Sequence, residues 1–503
     1  MAANIKKITS ILFILRIFRM SMSMVTLIFS AKYFGVSMER DVWILVTTFL
    51  ITICSAIWGP INETFRAKFI FIKEQEGEVN SIQKTLSLLS FIVSVTLLIS
   101  LFILLFLHPI TSFIVQNPTE ESSHLFVSLL LLMLPTFLIN ELTNIGISVL
   151  NAYEIYYVPE MVGALSSLLN ILIIVLLAPL IGIYSLAISQ YVAIIILLSV
   201  ILWKIYNLHI FHWRNLFNFR FSHISCYLLF ALPFFFPYFV GQCNSMAEKW
   251  LSGMLGEGNI SSLDYARQFT VVLQNVLSSI LTTVMVPMLA KAYVQKNTKD
   301  FERITKENLT VCFAILGLAI PILFGAASPL CEFFFLRGKV SSEALGLITI
   351  LTRMYAVAFI GVLLYLVFGC TLLASDKGKR YALWGVLTQI MVLGANIMLL
   401  PVCNIYIFPI SLGVAHLFAA IVMSLGIPSD IRKHLFKSIT KYCMVVVFLS
   451  VCTFYFNKLN IGAISLVSLI CNILFLIPLF LFMSKWFDLD IKTYYYKLSK
   501  KIK

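Results

Sequence analysis

Apolar runs of about twenty residues recur along the whole chain, and few folds accommodate that pattern. A hydrocarbon core of about 30 Å is crossed by roughly 20 helical residues, and lipid tolerates neither a sheet edge nor irregular backbone. The runs therefore predict helices at about 8–33, 41–65, 85–107, 125–152, 161–181 and 183–203, then at 226–254, 264–292, 309–327, 345–373, 382–400 and 405–427. Two more are expected at about 443–457 and 464–483. Charged residues make up only 12 % of the chain, about half the share of a soluble domain. The expected fold is an all-α polytopic membrane protein of about 14 transmembrane helices. The first run has no small-residue cleavage site behind a short apolar core, so it is expected to be a retained helix.

The helices fall into two series. Gly256 follows Gly35 by 221 positions, Asp264 follows Asp41 by 223, and Ala374, Tyr406 and Ser411 follow Ala152, Tyr184 and Ser189 by 222. Several short matches in order at one offset predict an internal duplication. The organisation expected is an N-lobe over 1–203, an amphipathic cytoplasmic linker over 204–225, a C-lobe over 226–427, and two further helices with a basic tail over 428–503. Six helices per copy is an even number, so the repeats are expected to be parallel, an architecture with a substrate path between its halves.

The net charge of +14 is distributed as membrane topology distributes it. Lysines and arginines collect in alternate connectors, such as Arg66 to Lys84, Lys291 to Lys306 and Lys377 to Arg380, as they do in cytoplasmic loops. Both termini are thus expected in the cytoplasm, and nucleic acid is not an expected partner. The ten cysteines are scattered without a CxxC pair and read as small apolar side chains. His209 and His212 in the linker are three apart but have no third ligand nearby, so no metal site is expected. There is also no Walker A loop, GxSxG or HExxH, which argues against ATP hydrolysis and against soluble-type catalysis. No cofactor is expected, and the driving force would be membrane potential, an ion gradient or substrate flux.

Ionisable groups inside spans are costly and mark pathways. Arg16 and Arg19 share one face of the first helix. A guanidinium never loses its charge and grips phosphate with two parallel hydrogen bonds, so the pair predicts an anion-binding wall. The plainer alternative is a structural pair with an acid such as Glu141, which stands between Asn140 and Asn144. Arg353 lies deep in the tenth helix, and Asp264 with Arg267, like Glu248 with Lys249, is expected to be partly self-neutralising. Prolines at 60, 135, 233, 237, 287 and 321 fall inside spans, an ordinary feature of membrane helices.

The segments LGEGNISSLDYARQF, VLNAYEIYYVP, LAPLIGIYSLAIS, FFLRGKVSSEA and LLASDKGKRYA resemble those of the MurJ/MviN lipid II flippases, within the multidrug/oligosaccharidyl-lipid/polysaccharide exporter superfamily. The resemblance spans roughly the first twelve helices. It implies fourteen helices, two lobes around a cationic cavity, and a last pair forming a lipid-tail groove. It further implies alternating access that carries undecaprenyl-pyrophosphate-linked peptidoglycan precursor from the inner to the outer leaflet of the bacterial inner membrane, with cell-wall synthesis machinery as an expected partner. By the resemblance, Asp41 and Arg267 correspond to substrate-site positions of the family, Arg16 and Arg19 do so by analogy, and Glu141, Asp264 and Arg353 are expected to contact substrate beside them. The chain departs from the family in LRIFRMSMSMVTLIF, where the arginines come early, in YARQ, where the cation is displaced by one position, and in GPINETFRAKF.

Two rivals remain at this stage. A Wzx-like exporter of O-antigen or capsule units would share the architecture, whereas an exporter of cationic drugs would favour acidic walls. A polyprenyl-dependent membrane enzyme such as a glycosyltransferase would need a catalytic acid in an outer connector. Glu120, Glu121, Glu332 and Glu343 are the candidates there.

Overall fold

The computed structural model describes residues 2–208, 220–336, 338–459 and 464–486. His209, His212, Arg337, most of the expected amphipathic linker and the basic tail lie outside the described residues. Every regular element among the described residues is helical. In chain order they are α1 (Ala2–Phe34), α2 (Met38–Glu76), α3 (Glu78–Leu105), α4 (Leu107–Ile114), α5 (Glu120–Ala152), α6 (Tyr157–Ile181) and α7 (Tyr184–Asn207). There follow α8 (Phe221–Gly253), α9 (Asn259–Ile280), a π-helical turn over Leu281–Met285, α10 (Val286–Val294), α11 (Thr298–Gly325), α12 (Ala327–Phe335), α13 (Ser342–Ala374), α14 (Gly378–Cys403) and α15 (Ile407–Ser424). The last two are α16 (Ser429–Leu459) and α17 (Ser465–Trp486).

Twelve helical stretches among the described residues have the length and hydropathy of a membrane span. One of these, Gly378–Ser424, is broken into α14 and α15 by a 3-10 turn at Asn404–Tyr406, and α9 to α10 forms a further continuous helical run whose Asp264, Arg267 and Gln268 make it more polar. Counting both brings the total to the expected fourteen.

The duplication is written in the backbone. The short helices α4 and α12 occupy the same place in each series, before the long α5 and α13. Residues with positive φ also recur at the same spacing: Gly35 and Gly256, Asn117 and Gly338, Glu154 and Asp376, Gly182 and Asn404. Non-glycine residues rarely adopt this conformation. Its repetition at four helix ends therefore records common chain reversals, whatever the side chains now are. The short helices were not foreseen because eight or nine apolar residues beside a long run read as part of that run.

The chain forms two compact units, 1–261 and 262–503. In the first, α8 packs along α2, α6 along α7 and α1, and α5 along α2 and α7. The core around Trp58, Phe65, Phe69, Phe137 and Tyr227 is fully buried. Helix α2 has 39 residues, about 58 Å at 1.5 Å per residue, so it outreaches the bilayer. Its extension carries Arg66, Lys68 and Lys73 before the chain reverses at Gly77, whose φ of 87° suits glycine. There Lys84 pairs with Glu76 at 2.6 Å and Lys73 lies 3.9 Å from the Tyr153 ring centre. Tyr153 donates to Glu78, and burial together with that carboxylate pushes its phenol above the usual value.

In the second unit α13 packs along α15 and α11, and α16 packs along α11. Membrane helices approach most closely at small residues. A Cβ on Gly361 would lie 2.6 Å from the Gly413 carbonyl oxygen, and one on Gly413 would lie 2.9 Å from the Ala358 Cα. A Cβ on Gly325 would likewise meet the Phe454 backbone nitrogen at 2.7 Å, which fixes α16 against α11. The last pair is therefore bound tightly into this unit, with α17 resting on α12 and α11.

Gly361→Leu should separate α13 from α15 and lower the thermal midpoint of the detergent-purified protein by several degrees. Gly346→Leu on the same helix, where a Cβ meets nothing within 4 Å, should leave the midpoint unchanged. Equal midpoints for the two variants would show that close backbone approach does not hold this pair.

Candidate functional site

The starts of α2 and α9 cap each other, α2 through Glu257 in the connector before α9 and α9 through Asp41 in the first turn of α2. Ser37 caps α2 by accepting the Arg40 N–H. In the connector between α8 and α9, Glu257 Oε1 accepts the Met38 N–H at 2.9 Å. In return the buried Asp41 carboxylate accepts the Gly258 N–H at 2.6 Å and the Ser261 N–H at 2.7 Å, and the Ser261 hydroxyl donates to it as well. The first N–H groups of a helix have no partner inside it and carry the positive end of its dipole, so a carboxylate satisfies both needs. Asp41, expected to contact substrate, is here occupied by three protein donors.

Arg16 and Arg19 meet α6. Arg16 Nε donates to Glu160 Oε1 at 2.9 Å, and Arg19 Nη1 stands 3.7 Å from Glu160 Oε2. Gly163, one turn further on, leaves space for Arg19: a Cβ there would lie 3.2 Å from Nη1. The acid beside these arginines is thus Glu160 and not Glu141. Sequence spacing passed over Glu160 because an acid in the first turn of a helix ordinarily answers the helix dipole. Two guanidinium groups share one carboxylate, which leaves a positive charge uncompensated among the described residues. Both arginine side chains are about half exposed, at 49 % and 53 %.

Glu141 is fully buried on α5. Its carboxylate takes the Cys54 thiol at 2.6 Å, the Asn62 amide at 3.0 Å and the Asn144 side chain. It therefore ties α2 to α5, and its charge is met by neutral donors.

Arg19 lies on the rim of a cavity of about 510 Å³ in the first unit, whose wall includes Asn140, Asn144, Asn170, Gln190 and Ser55. The second unit has a cavity of similar size, about 520 Å³, but of different chemistry. Arg353 stands there among Val357, Ile360, Ile410, Val414 and Leu417. Its Nε donates to the Phe324 carbonyl at 3.1 Å, and its guanidinium lies 5.2 Å from the Phe454 ring centre. Also in this unit, Asp264 accepts from Gln268 Nε2 at 3.4 Å, and Arg267 lies three residues beyond Asp264 on the same helix, α9. In the first unit the buried Glu248 and Lys249 pair at 3.4 Å. No cluster of His, Cys, Asp and Glu that would hold a metal occurs among the described residues.

This arrangement, two repeated helical series of membrane-spanning length, defines a polytopic membrane-protein fold. It is shared at a TM-score of 0.66 and 13 % identity by an inward-facing multidrug resistance MATE family transporter of the MOP superfamily, over 84 % of this chain and 99 % of that one. A structure of the lipid II flippase MurJ in an inward closed conformation superposes at a TM-score of 0.78 and 17 % identity, over 96 % and 99 %. The family profile described as lipid II flippase MurJ matches residues 30–478, and the chain belongs to that family. A lipid II flippase MurJ from Burkholderia cenocepacia is 22 % identical over 308 residues, which is 60 % of this chain and 60 % of that relative's length. The family match begins at residue 30, so Arg16 and Arg19 lie outside it.

Replacing an acceptor oxygen of a capping carboxylate by an amide strands a buried donor, at a cost of about 1–3 kcal/mol. Asp41→Asn should accordingly lower the thermal midpoint of the purified protein, whereas Glu121→Gln on the exposed start of α5 should not. A stable Asp41→Asn protein would assign the residue to ligand contact instead of capping.

Proposed function

We propose that this chain is a flippase that carries a polyprenyl-pyrophosphate-linked peptidoglycan precursor, lipid II, from the inner to the outer leaflet by alternating access. Membership of the lipid II flippase MurJ family over residues 30–478 carries the reading. The local chemistry agrees with it. A pyrophosphate brings at least two negative charges into a space where it loses water, and must meet cations there. The uncompensated guanidinium charge beside Glu160 supplies one such meeting point, and Arg353 supplies another. The chain acts as a transporter and not as an enzyme, driven by membrane potential or an ion gradient without a cofactor. It resides in the bacterial inner membrane with both termini in the cytoplasm, where cell-wall synthesis enzymes would be its neighbours.

Expression of the chain should rescue cells depleted of their own lipid II flippase. Arg16→Ala and Arg19→Ala should each reduce that rescue at least tenfold while the protein still accumulates, with Lys restoring it only in part because it lacks the bidentate fork. Full rescue by both alanine variants would remove these arginines from substrate handling. Failure of the wild-type chain beside successful transport of O-antigen or capsule units would move the substrate to another polyprenyl-linked glycan.

The orientation is tested separately by cysteine labelling. A membrane-impermeant maleimide added to intact cells should label Glu121→Cys, at the start of α5, but not Lys299→Cys, at the start of α11. The opposite pattern would invert the topology.

A further inference from the structure

The carboxylate between Arg16 and Arg19 is only half used. Glu160 has a largely buried side chain, 16 % exposed, set behind two guanidinium groups that are each about half exposed. Arg16 Nε reaches Oε1 at 2.9 Å, but Arg19 Nη1 stands 3.7 Å from Oε2, beyond hydrogen-bond distance. Oε2 is buried and accepts no hydrogen bond among the described residues. The two oxygens of a carboxylate are equivalent, so exchanging their labels would leave the same deficit. Buried polar atoms are almost always partnered, and the exceptions ask for an explanation.

The chemistry of the three groups supplies one. A carboxylate and a phosphate both offer acceptor oxygens to a guanidinium fork, and the phosphate offers more oxygens and more charge. Arg16 and Arg19 stand three residues apart on one helix face, where like charges repel each other. An anion between them relieves that repulsion, and Glu160 is the anion this chain itself provides. The carboxylate approaches from α6, while the half-exposed guanidinium groups keep an open side on which a second anion can reach them. Groups held on one side and open on the other can change partners without standing unpaired, a state that is costly inside a membrane.

We propose that Glu160 is a positioning residue for transport, an internal anion that competes with the pyrophosphate for Arg16 and Arg19 and takes the guanidinium groups back when the ligand leaves. This rests on the reading of the chain as a flippase of a pyrophosphate-linked lipid. Competition and structural support predict opposite signs. Removing the charge of a competitor leaves the arginines without a rival, so the pyrophosphate binds more tightly and departs more slowly, affinity changes at one site falling mainly on the dissociation rate. Removing a carboxylate that only held α1 against α6 would loosen the arginines and weaken binding.

The test measures binding of undecaprenyl pyrophosphate and of uncharged undecaprenol to the purified full chain in lipid nanodiscs, and transport of lipid II by the same proteins in liposomes. Glu160→Gln should bind undecaprenyl pyrophosphate about tenfold more tightly than wild type, the scale of one hydrogen bond to a charged group, and undecaprenol no differently. It should also move lipid II with a lower half-saturating concentration and a lower maximal rate. Glu160→Asp, which keeps the charge, should return both quantities towards wild type, and the gain in affinity should disappear in an Arg19→Ala background. Unchanged or weaker pyrophosphate binding by Glu160→Gln overturns the exchange, as does a gain that persists without Arg19. Failure of Glu160→Gln to accumulate while Glu160→Asp does so assigns the carboxylate to holding the helices and overturns it too. Wild type that binds the two lipids equally overturns the pyrophosphate-flippase reading with it.

Discussion

Hydrocarbon leaves no partner for an unpaired backbone group or an isolated charge, and each feature of this chain follows from how that requirement is met. Helices meet it for the backbone along their length. At helix ends the requirement passes to side chains. Ser37 and Glu257 supply the start of α2, while Asp41 supplies the N–H groups of Gly258 and Ser261. The connector at 254–258 is thus not a loose link. It is held by a reciprocal exchange in which Glu257 before α9 completes the start of α2, and Asp41 in the first turn of α2 completes the start of α9.

The same requirement sorts the charged residues by what they can do. Glu141 has no exposure and is satisfied by Cys54, Asn62 and Asn144, so it acts as a tie between helices. Glu160 is asked to answer two guanidinium groups and fully bonds only one, with Arg16 at 2.9 Å and Arg19 at 3.7 Å. A satisfied group resists exchange of partners, whereas a shared one can accept a ligand with little loss. Arg19 is therefore the more available of the pair to an incoming anion.

Much of the fold was legible because its signals are long. Twenty-residue apolar runs and a repeat at about 222 positions survive any single substitution, and the positive-φ pairs Glu154 with Asp376 and Gly182 with Asn404 keep the same period in the backbone. The site was less legible because its signals are contacts between helices far apart in sequence. Arg16 and Arg19 announced themselves as charges in an apolar run, but their partner lies 144 residues from Arg16 and looks like an ordinary helix-start acid. Asn170 and Gln190 stood in the sequence as isolated amides. Only the packing of α6 against α7 brings them to one cavity with Asn140 and Asn144.

An amphipathic lipid poses three separate problems to a protein that moves it: a charged phosphate, a neutral polar headgroup and an apolar chain. One surface cannot solve all three, since a phosphate offers no donor to the amide oxygens that a hydroxyl would answer, and both kinds of polar wall are poor neighbours for hydrocarbon. The chain carries each of these chemistries, with guanidinium groups at Arg16, Arg19 and Arg353, carboxamides at Asn140, Asn144, Asn170 and Gln190, and aliphatic side chains such as Val357, Ile360 and Leu417. Weak contacts spread over several such sites suit transport better than one strong site. A ligand gripped entirely at one place would be slow to leave it, while contacts of about 1 kcal/mol each can be exchanged in turn.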